Sequence, residues 1–300
     1  AALTDISDAS GVDHFKIDTP TLSKLLTALT ECTEWGRIFI LDALSKFKPR
    51  NNEQIYTICD RILPQLRHNN SAVVMTSVKI IIKLIKSIDQ KQDKDNNKDN
   101  LYQKYCKELV SPLMTLLSSR PEIQYVTLRN IDLIVQQYPK LFTNHARMFT
   151  VKYNDEVWIK NQKLDILKKL ATSESYNFIL SEFEQYAQEI DIDFVRKSVR
   201  AIGYIAMKLE FAATKCVKIL SDLVKTGINY VVEESVIVIR DIFRRYPNSY
   251  EKLIVTICEN LQSLNKAESK ASFIWIIGEY AQRIVDAGHR LEYFIDSFEE

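Results

Sequence analysis

Residues 193–209 read DFVRKSVRAIGYIAMKL, and the pattern of this stretch decides the predicted fold. Its apolar residues recur in steps of four, three, four and three, at Val195, Val199, Ile202, Ala206 and Leu209. That spacing places them on one face of an α-helix, which has about 3.6 residues per turn. The stretch 230–243 carries the same stripe, and strict alternation of the strand type is nowhere sustained. The sequence therefore predicts helices.

The start of this helix recurs along the chain. Four times an aromatic residue precedes a β-branched residue, and the β-branched members Val126, Ile159, Val195 and Val231 are 33, 36 and 36 residues apart. A weaker member spans 267–284. Less regular helices are predicted between them, at 52–66, 101–118, 141–150, 175–189, 211–225 and 249–263. A recurrence of this length is typical of helical-pair repeats of the HEAT or armadillo type.

Each predicted unit consists of an A helix, a turn and a B helix, and neighbouring units must stack to bury their apolar faces. The predicted fold is all-α, an α-solenoid or superhelix that runs as one continuous fragment over residues 1–300. Hydrophobic residues make up 46% of the chain, with only 6 glycines and 7 prolines, whereas β-rich and loop-rich folds need more turn residues. The segment 89–100 has no hydrophobic residue and is predicted to be a disordered polar loop.

Charge and hydropathy argue against two classes of partner. Lys and Arg number 40 against 39 Asp and Glu, with no basic block, so we expect no nucleic acid to bind. Apolar runs such as 236–239 are far shorter than the roughly 20 residues of a membrane span. The first residues resemble the middle of a helix rather than a signal peptide, so we expect a fragment of a longer protein.

We predict no catalytic, cofactor or metal site. The glycines form no phosphate-binding loop, and the patterns of serine hydrolases and zinc proteases are missing. Asp191 and Asp193 precede a helix, where capping explains them better than acid–base catalysis. The histidines are isolated, and the cysteines form no CxxC pair, which favours buried, reduced thiols. These cysteines are Cys32, Cys59, Cys106, Cys216 and Cys258.

Tryptophan and glycine positions give two packing predictions. Trp35, Trp158 and Trp275 lie in helical apolar patterns and are predicted to pack in the core. Gly203 and Gly278 lie inside B helices, where glycine costs about 1 kcal/mol relative to alanine. Close packing of a neighbouring helix is the predicted compensation at both glycines.

Basic residues near the starts of the B helices have two interpretations. One is a partner-binding strip on the inner surface of the superhelix, because concave solenoid surfaces commonly bind other chains. The other is a solvated face whose aliphatic stems pack over their neighbours. The residues are Lys160, Lys163, Arg196, Lys197, Arg200 and Arg240.

Several strings go beyond the repeat pattern. They include ECTEWGRIFILD at 31–42, YVTLRNI at 125–131, VKYND at 151–155, NYVV at 229–232 and WIIGEYA at 275–281. In this order they resemble the trunk of β-adaptins, large subunits of the heterotetrameric clathrin adaptor complexes. The resemblance covers about residues 22–284, and the polar segment 89–100 departs from the family pattern. The resemblance implies that both ends of the chain are truncated relative to the family trunk.

The resemblance implies a non-enzymatic scaffold in vesicle-mediated protein transport. Its partners would be the second large subunit, the medium subunit and the small subunit, and clathrin would bind through a hinge and appendage missing here. The protein would be cytoplasmic, and peripheral on coated vesicles, on coated pits or on trans-Golgi and endosomal membranes. Membrane association would come only through the complex.

The resemblance also implies two contact residues. In the closed state of one such complex, the β trunk covers the medium subunit's pocket for tyrosine-based signals, and the positions involved match Ile190 and Tyr230. Ordinary packing is the alternative for both.

For the whole chain, the alternative is another helical-repeat transport scaffold, a coatomer subunit or a nuclear transport receptor. Trp158 and Trp275 lack the asparagine partners of an armadillo receptor, and the strings around Trp35 and Trp275 argue against coatomer.

Overall fold

The computed structural model describes residues 17–49, 51–90, 97–247, 249–250, 252–259 and 264–296, together with Ala2, Ile6 and residues 9–11. Over these residues the regular structure is helical and contains no strand, which confirms the predicted all-α class. The α-helices are α1 Thr19–Glu31, α2 Glu34–Lys46, α3 Asn52–Ile62, α4 Ser71–Gln90, α5 Asn97–Leu116, α6 Pro121–Gln137, α7 Val157–Leu170, α8 Tyr176–Tyr186, α9 Ile192–Lys208, α10 Glu210–Lys225, α11 Asn229–Arg245, α12 Lys252–Glu259, α13 Ala267–Glu279 and α14 Ala287–Asp296.

Short 3-10 helices connect some of these elements. They span Leu63–Arg67, Pro139–Leu141, Thr143–Phe149 and Ala281–Arg283. The A helix predicted at 141–150 is therefore a 3-10 helix rather than an α-helix. Phe142 directly precedes this 3-10 helix and Phe149 is its last residue. Both rings are buried, and their centroids lie 6.1 Å apart. The other predicted A helices correspond to α3, α5, α8, α10 and α12.

The chain divides into two compact units, the first extending to Thr127 and the second starting at Leu128. Within the first unit, α2 packs against α4, and α1, α3 and α5 each pack against one of these two helices. Within the second unit, the helices form two rows. The B row consists of α7, α9, α11 and α13 side by side, and the A row consists of α8, α10 and α12.

The core of the second unit lies where its two rows meet. Phe183, Phe194, Ile202, Leu220 and Ile239 are completely buried there. Burial of one such side chain contributes about 1.5–3 kcal/mol relative to exposure. Because each row supplies only one apolar face, the helices are stable as a stack and not singly.

The two glycine predictions have opposite outcomes. A Cβ atom at Gly203 would stand 2.4 Å from Cγ1 of Val238, so α9 and α11 approach too closely for any other residue, as predicted. Nothing lies within 4 Å of a Cβ atom at Gly278, so close packing was the wrong explanation there.

The prediction that all three tryptophans pack in the core is wrong for Trp35 and Trp158. Trp35 is 74% exposed because it lies in the first turn of α2, whose buried residues begin only at Leu41. Trp158 is also exposed, because the next residue, Ile159, takes the core position. Trp275 is half-buried, with Cζ of Arg244 4.6 Å from its ring centroid.

Three of the five cysteines agree with the prediction of buried thiols. Cys59, Cys216 and Cys258 are buried and unpaired, whereas Cys32 is half-buried. The side chain of Cys106 lies outside the described residues.

The predicted polar loop 89–100 is shorter than predicted, because helices include residues at both of its ends. Asp89 and Gln90 end α4, and residues 97–100 begin α5. The central residues 91–96 lie outside the described residues. Helix formation needs no apolar residue, since lysine, glutamine and asparagine cost only tenths of a kcal/mol relative to alanine. Both helices therefore continue past their apolar stripes.

Candidate functional site

Two of the predicted basic residues, Lys160 and Lys163, are buried on α7. Lys163 is 2% exposed, and its Nζ lies 2.5 Å from Oδ2 of Asp155. Lys160 is 8% exposed, and its Nζ lies 2.7 Å from Oε2 of Glu189. Both ammonium groups are used inside the unit, because a buried charge needs a partner. Neither sequence interpretation, a partner-binding strip or a solvated face, describes these two residues.

Arg200 and Arg240 link consecutive helices of the B row. Nε of Arg200 donates to Oε1 of the buried Glu234 on α11, and this hydrogen bond raises the pKa of the guanidinium above its usual value. Nη1 of Arg240 donates to Oγ of Ser272 on α13 at 2.8 Å. Each arginine thus connects its own repeat to the next one. Most of the Arg200 side chain nevertheless remains exposed.

A groove on the B row brings together three of the predicted basic residues, Lys197, Arg200 and Arg240. We call it the B-row groove; it encloses about 520 Å³. The remaining lining residues are Leu164, Asp165, Lys168, Ala201, Gly203, Tyr204, Met207, Ile237, Val238, Asp241 and Glu268. Charges of both signs therefore surround a partly exposed apolar floor. Such a lining suits an amphipathic segment of protein better than a polyanion.

Arg196 does not belong to the groove lining. Its Nη1 lies 3.8 Å from Oδ1 of Asp193 on the same helix, and its buried Nε has no hydrogen-bond partner among the described residues. The six basic residues are thus split among buried ion pairs, groove positions and one local pair. Side-chain type and spacing alone could not separate these environments.

Ile190 and Tyr230 lie at the N-terminal ends of two adjacent helices. Ile190 is 92% exposed in the turn before α9. Tyr230 is the second residue of α11 and is half-buried. Other exposed apolar side chains occupy the same end of the B row. This set, the B-row edge, comprises Val157, Trp158, Ile190, Ile192, Ile228 and Tyr230.

The turn that carries Ile190 is built by a helix cap. Oδ1 of Asp191 accepts the backbone N–H groups of Asp193 and Phe194 at 3.0 and 3.2 Å. This confirms the predicted capping for Asp191, whereas Asp193 lies in the first turn of α9 and its carboxylate pairs with Arg196. A signal for the exposed apolar edge was present in the sequence, since an aromatic residue opens several B helices. The exposure of Trp158 and the partial exposure of Tyr230 could not be predicted from this pattern, because Phe194 at the matching position is buried.

Two further properties concern the described residues alone. None of their helices is both long enough and apolar enough to cross a membrane. Within the same part of the chain, no three His, Cys, Asp or Glu side chains lie close enough together to hold a metal ion.

Comparison with known proteins gives one family. The family described as "Adaptin N terminal region" matches residues 4–300. The AP-1 complex subunit beta of Dictyostelium discoideum is 47% identical over 300 residues, which is 100% of this chain and 31% of that relative. The AP-1 complex subunit beta-1 of Homo sapiens is 46% identical over 301 residues, again 100% of this chain and 31% of the relative.

A fungal relative and a structure extend the comparison. The AP-2 complex subunit beta of Schizosaccharomyces pombe is 40% identical over 299 residues, covering 99% of this chain and 43% of the relative. The chain thus spans less than half the length of these curated relatives. A homology model of the full-length AP-3 complex in an intermediate open conformation matches with a TM-score of 0.65 and 14% identity, over 93% of this chain and 50% of that chain. At this identity, the likeness extends to the helical-repeat fold alone.

Proposed function

The chain belongs to the family of the adaptin N-terminal region, and on this premise we propose that it forms part of the trunk of a β subunit in a clathrin adaptor complex. Its role is that of a non-enzymatic scaffold in vesicle-mediated protein transport. The observation that carries the proposal is the identity of 46–47% to AP-1 β subunits along the whole chain. The same identity favours this function over that of a coatomer subunit or a nuclear transport receptor.

The partners of this scaffold are the other subunits of the complex: the second large subunit, the medium subunit and the small subunit. Clathrin is recruited by the hinge and appendage of the complete protein, and contact with the membrane comes through the assembled complex. The protein therefore acts in the cytoplasm, on coated vesicles and on the membranes that form them.

The B-row groove is one proposed contact surface for these subunits. Lys197 is exposed on its wall, and Arg200 keeps most of its side chain exposed while it holds Glu234. Arg240 is mostly covered, so it acts by keeping α11 and α13 together. Opposite charges across such a surface set specificity and association rate more than affinity.

The B-row edge is the second proposed surface. Ile190 and Tyr230 cover the medium subunit's pocket for tyrosine-based signals when the complex is closed. An exposed aliphatic side chain and a half-buried tyrosine have the chemistry that such a pocket accepts. Ile190 makes this role physically reasonable, because a 92% exposed isoleucine contributes almost nothing to the unit's own core.

Assembly is tested on the full-length parent protein, tagged and purified from its own cells. We expect a second large subunit, a medium subunit and a small subunit to copurify in equal amounts. Copurification with coatomer subunits, or with nuclear transport cargo in place of adaptor subunits, would contradict the proposal.

Covering of the signal pocket is tested in the reconstituted complex without membrane. The variant Ile190→Ser/Tyr230→Ser loses two apolar contacts, so the affinity for a tyrosine-signal peptide should rise at least roughly tenfold. A peptide with alanine in place of the tyrosine reports nonspecific binding. Val255→Ser is the matched control, since Val255 is 63% exposed on α12 of the A row. Equal peptide affinity of the double variant and the wild type, in complexes that assemble fully, would refute this role.

A further inference from the structure

Ile190 lies between two residues whose side chains are anchored on different helices. Before it, Glu189 accepts a hydrogen bond from Nζ of Lys160 on α7, at 2.7 Å. After it, Asp191 caps α9 through the backbone N–H groups of Asp193 and Phe194. The backbone of the turn is thus fastened on both sides of a side chain that is itself 92% exposed.

The anchor on the α7 side is a buried ammonium group. Besides Glu189, the Nζ of Lys160 faces two aromatic rings, with the centroid of Phe194 at 5.7 Å and that of Tyr153 at 6.0 Å. Aromatic faces attract a cation but do not replace a carboxylate as its partner. Because Lys160 is only 8% exposed, the turn must bring Glu189 to it in the folded protein.

We propose that Lys160 is a positioning residue for the closed state, which fixes the turn 189–191 and thereby holds Ile190 in place for the medium subunit. This inference rests on the proposed role of Ile190 in covering the signal pocket. A contact side chain on a fixed turn loses less conformational entropy on binding than the same side chain on a mobile turn. Lys160 therefore strengthens the closed contact without touching the partner.

Lys163 provides a matched control on the same helix. It is buried even more completely, and it too pairs with a carboxylate, that of Asp155 at 2.5 Å. Its second acceptor is the carbonyl oxygen of Thr150, at 3.3 Å. Lys163 therefore fastens the segment 150–155, and not the turn that carries Ile190.

The test compares single variants in the reconstituted full-length complex without membrane. Lys160→Met should raise the affinity for a tyrosine-signal peptide roughly three- to tenfold, the range expected when one contact side chain becomes mobile. Glu189→Gln should raise it in the same direction but less, because the amide oxygen can still accept from Nζ of Lys160 although it carries no charge. Lys160→Arg, which keeps the charge, should stay close to the wild type. Lys163→Met should leave the peptide affinity unchanged. In the same samples, the backbone amide of Glu189, which donates to the carbonyl oxygen of Tyr186 at 3.3 Å, should exchange faster in the first two variants only. Glu189→Gln keeps the test valid if Lys160→Met does not assemble.

Three outcomes would overturn the inference. The first is unchanged peptide affinity in Glu189→Gln and Lys160→Met while Ile190→Ser/Tyr230→Ser raises it, which refutes the positioning role alone. The second is an equal rise in Lys163→Met, which would make the effect one of general destabilisation. The third is unchanged affinity in Ile190→Ser/Tyr230→Ser, which removes the proposed function of Ile190 and the inference with it.

Discussion

Glu233 on α11 accepts a hydrogen bond from the backbone N–H of Lys266, the residue that precedes α13. The same oxygen, Oε1, accepts the N–H of Asn265, and both donor–acceptor distances are 3.1 Å. The N-terminal N–H groups of a helix are usually satisfied by the residue just before it. Here Lys266 makes no side-chain cap, and the carboxylate of the preceding B helix instead holds the N–H groups of the two residues just before α13. One repeat thus orients the next.

This cross-repeat cap leads to the first prediction. Glu233→Ala should destabilise α13 by about 1–3 kcal/mol, because two backbone donors lose a charged acceptor whose own side chain is buried. Glu233→Gln should cost less, since the amide oxygen can still accept but no longer carries the charge that favours a helix N-terminus. Native-state hydrogen exchange of the amides in α13, combined with urea unfolding, measures both effects.

Glu174 provides the control for this measurement. It is exposed between α7 and α8, so Glu174→Ala should leave both measurements within about 0.5 kcal/mol of the wild type. If Glu233→Ala behaved like Glu174→Ala, the cap would have no energetic role.

The second prediction contrasts the two helix glycines. Gly203→Ala should destabilise by about 1–3 kcal/mol, because the new methyl group would meet Cγ1 of Val238 at 2.4 Å and push α9 from α11. Gly278→Ala should stabilise by up to about 1 kcal/mol, since its surroundings are open and alanine favours the helix. Thermal unfolding of both variants measures the sign and the size of each change.

A double variant identifies the cause. Val238→Ala removes the methyl group that opposes Gly203, so Gly203→Ala should cost less in that background than in the wild type. An undiminished cost would mean that the clash with Val238 is not the reason for the glycine.

The helices themselves were predictable, because their period comes from backbone geometry. The stripe that begins at Val195 and the recurrence at Val231 led directly to α9 and α11. The cap at Asp191 was predictable for a similar reason, since it joins residues two and three positions apart. Local rules are sufficient wherever the interacting atoms are close in sequence.

The environments of the basic residues, and the B-row groove that three of them line, were predictable only in part. Lys160 and Lys163 look like surface residues in the sequence, yet both are buried. Their carboxylate partners lie 29 and 8 positions away in the sequence. The groove that joins Lys197, Arg200 and Arg240 depends on how two B helices pack, which a repeat period does not specify. The burial predicted for Trp35 and Trp158 was wrong for the same reason, because the packing of the helices decides which residues of the first turn reach the core.

The third prediction concerns thiol reactivity. Burial raises the pKa of the Cys59 and Cys216 thiols to about 12, from the usual 9.0. The thiolate is the reactive form, so at pH 8 both residues should resist alkylation in the folded protein. Cys32 is half-buried and should be alkylated first of the three. Timed iodoacetamide labelling with peptide mass spectrometry measures each rate. Fast labelling of Cys216 in folded protein would contradict its burial.

The same shift predicts a pH dependence of stability. Above pH 9 the unfolded chain loses the thiol proton of Cys216, whereas the folded chain retains it up to about pH 12. The unfolded state then binds fewer protons, so the free energy of unfolding must fall as the pH rises through this window. Cys216→Ala removes one such group and should make the fall shallower, whatever its effect on stability at pH 7. Urea unfolding at pH 7, 9 and 10.5 compares the slopes, and equal slopes would show that this thiol does not titrate differently on folding.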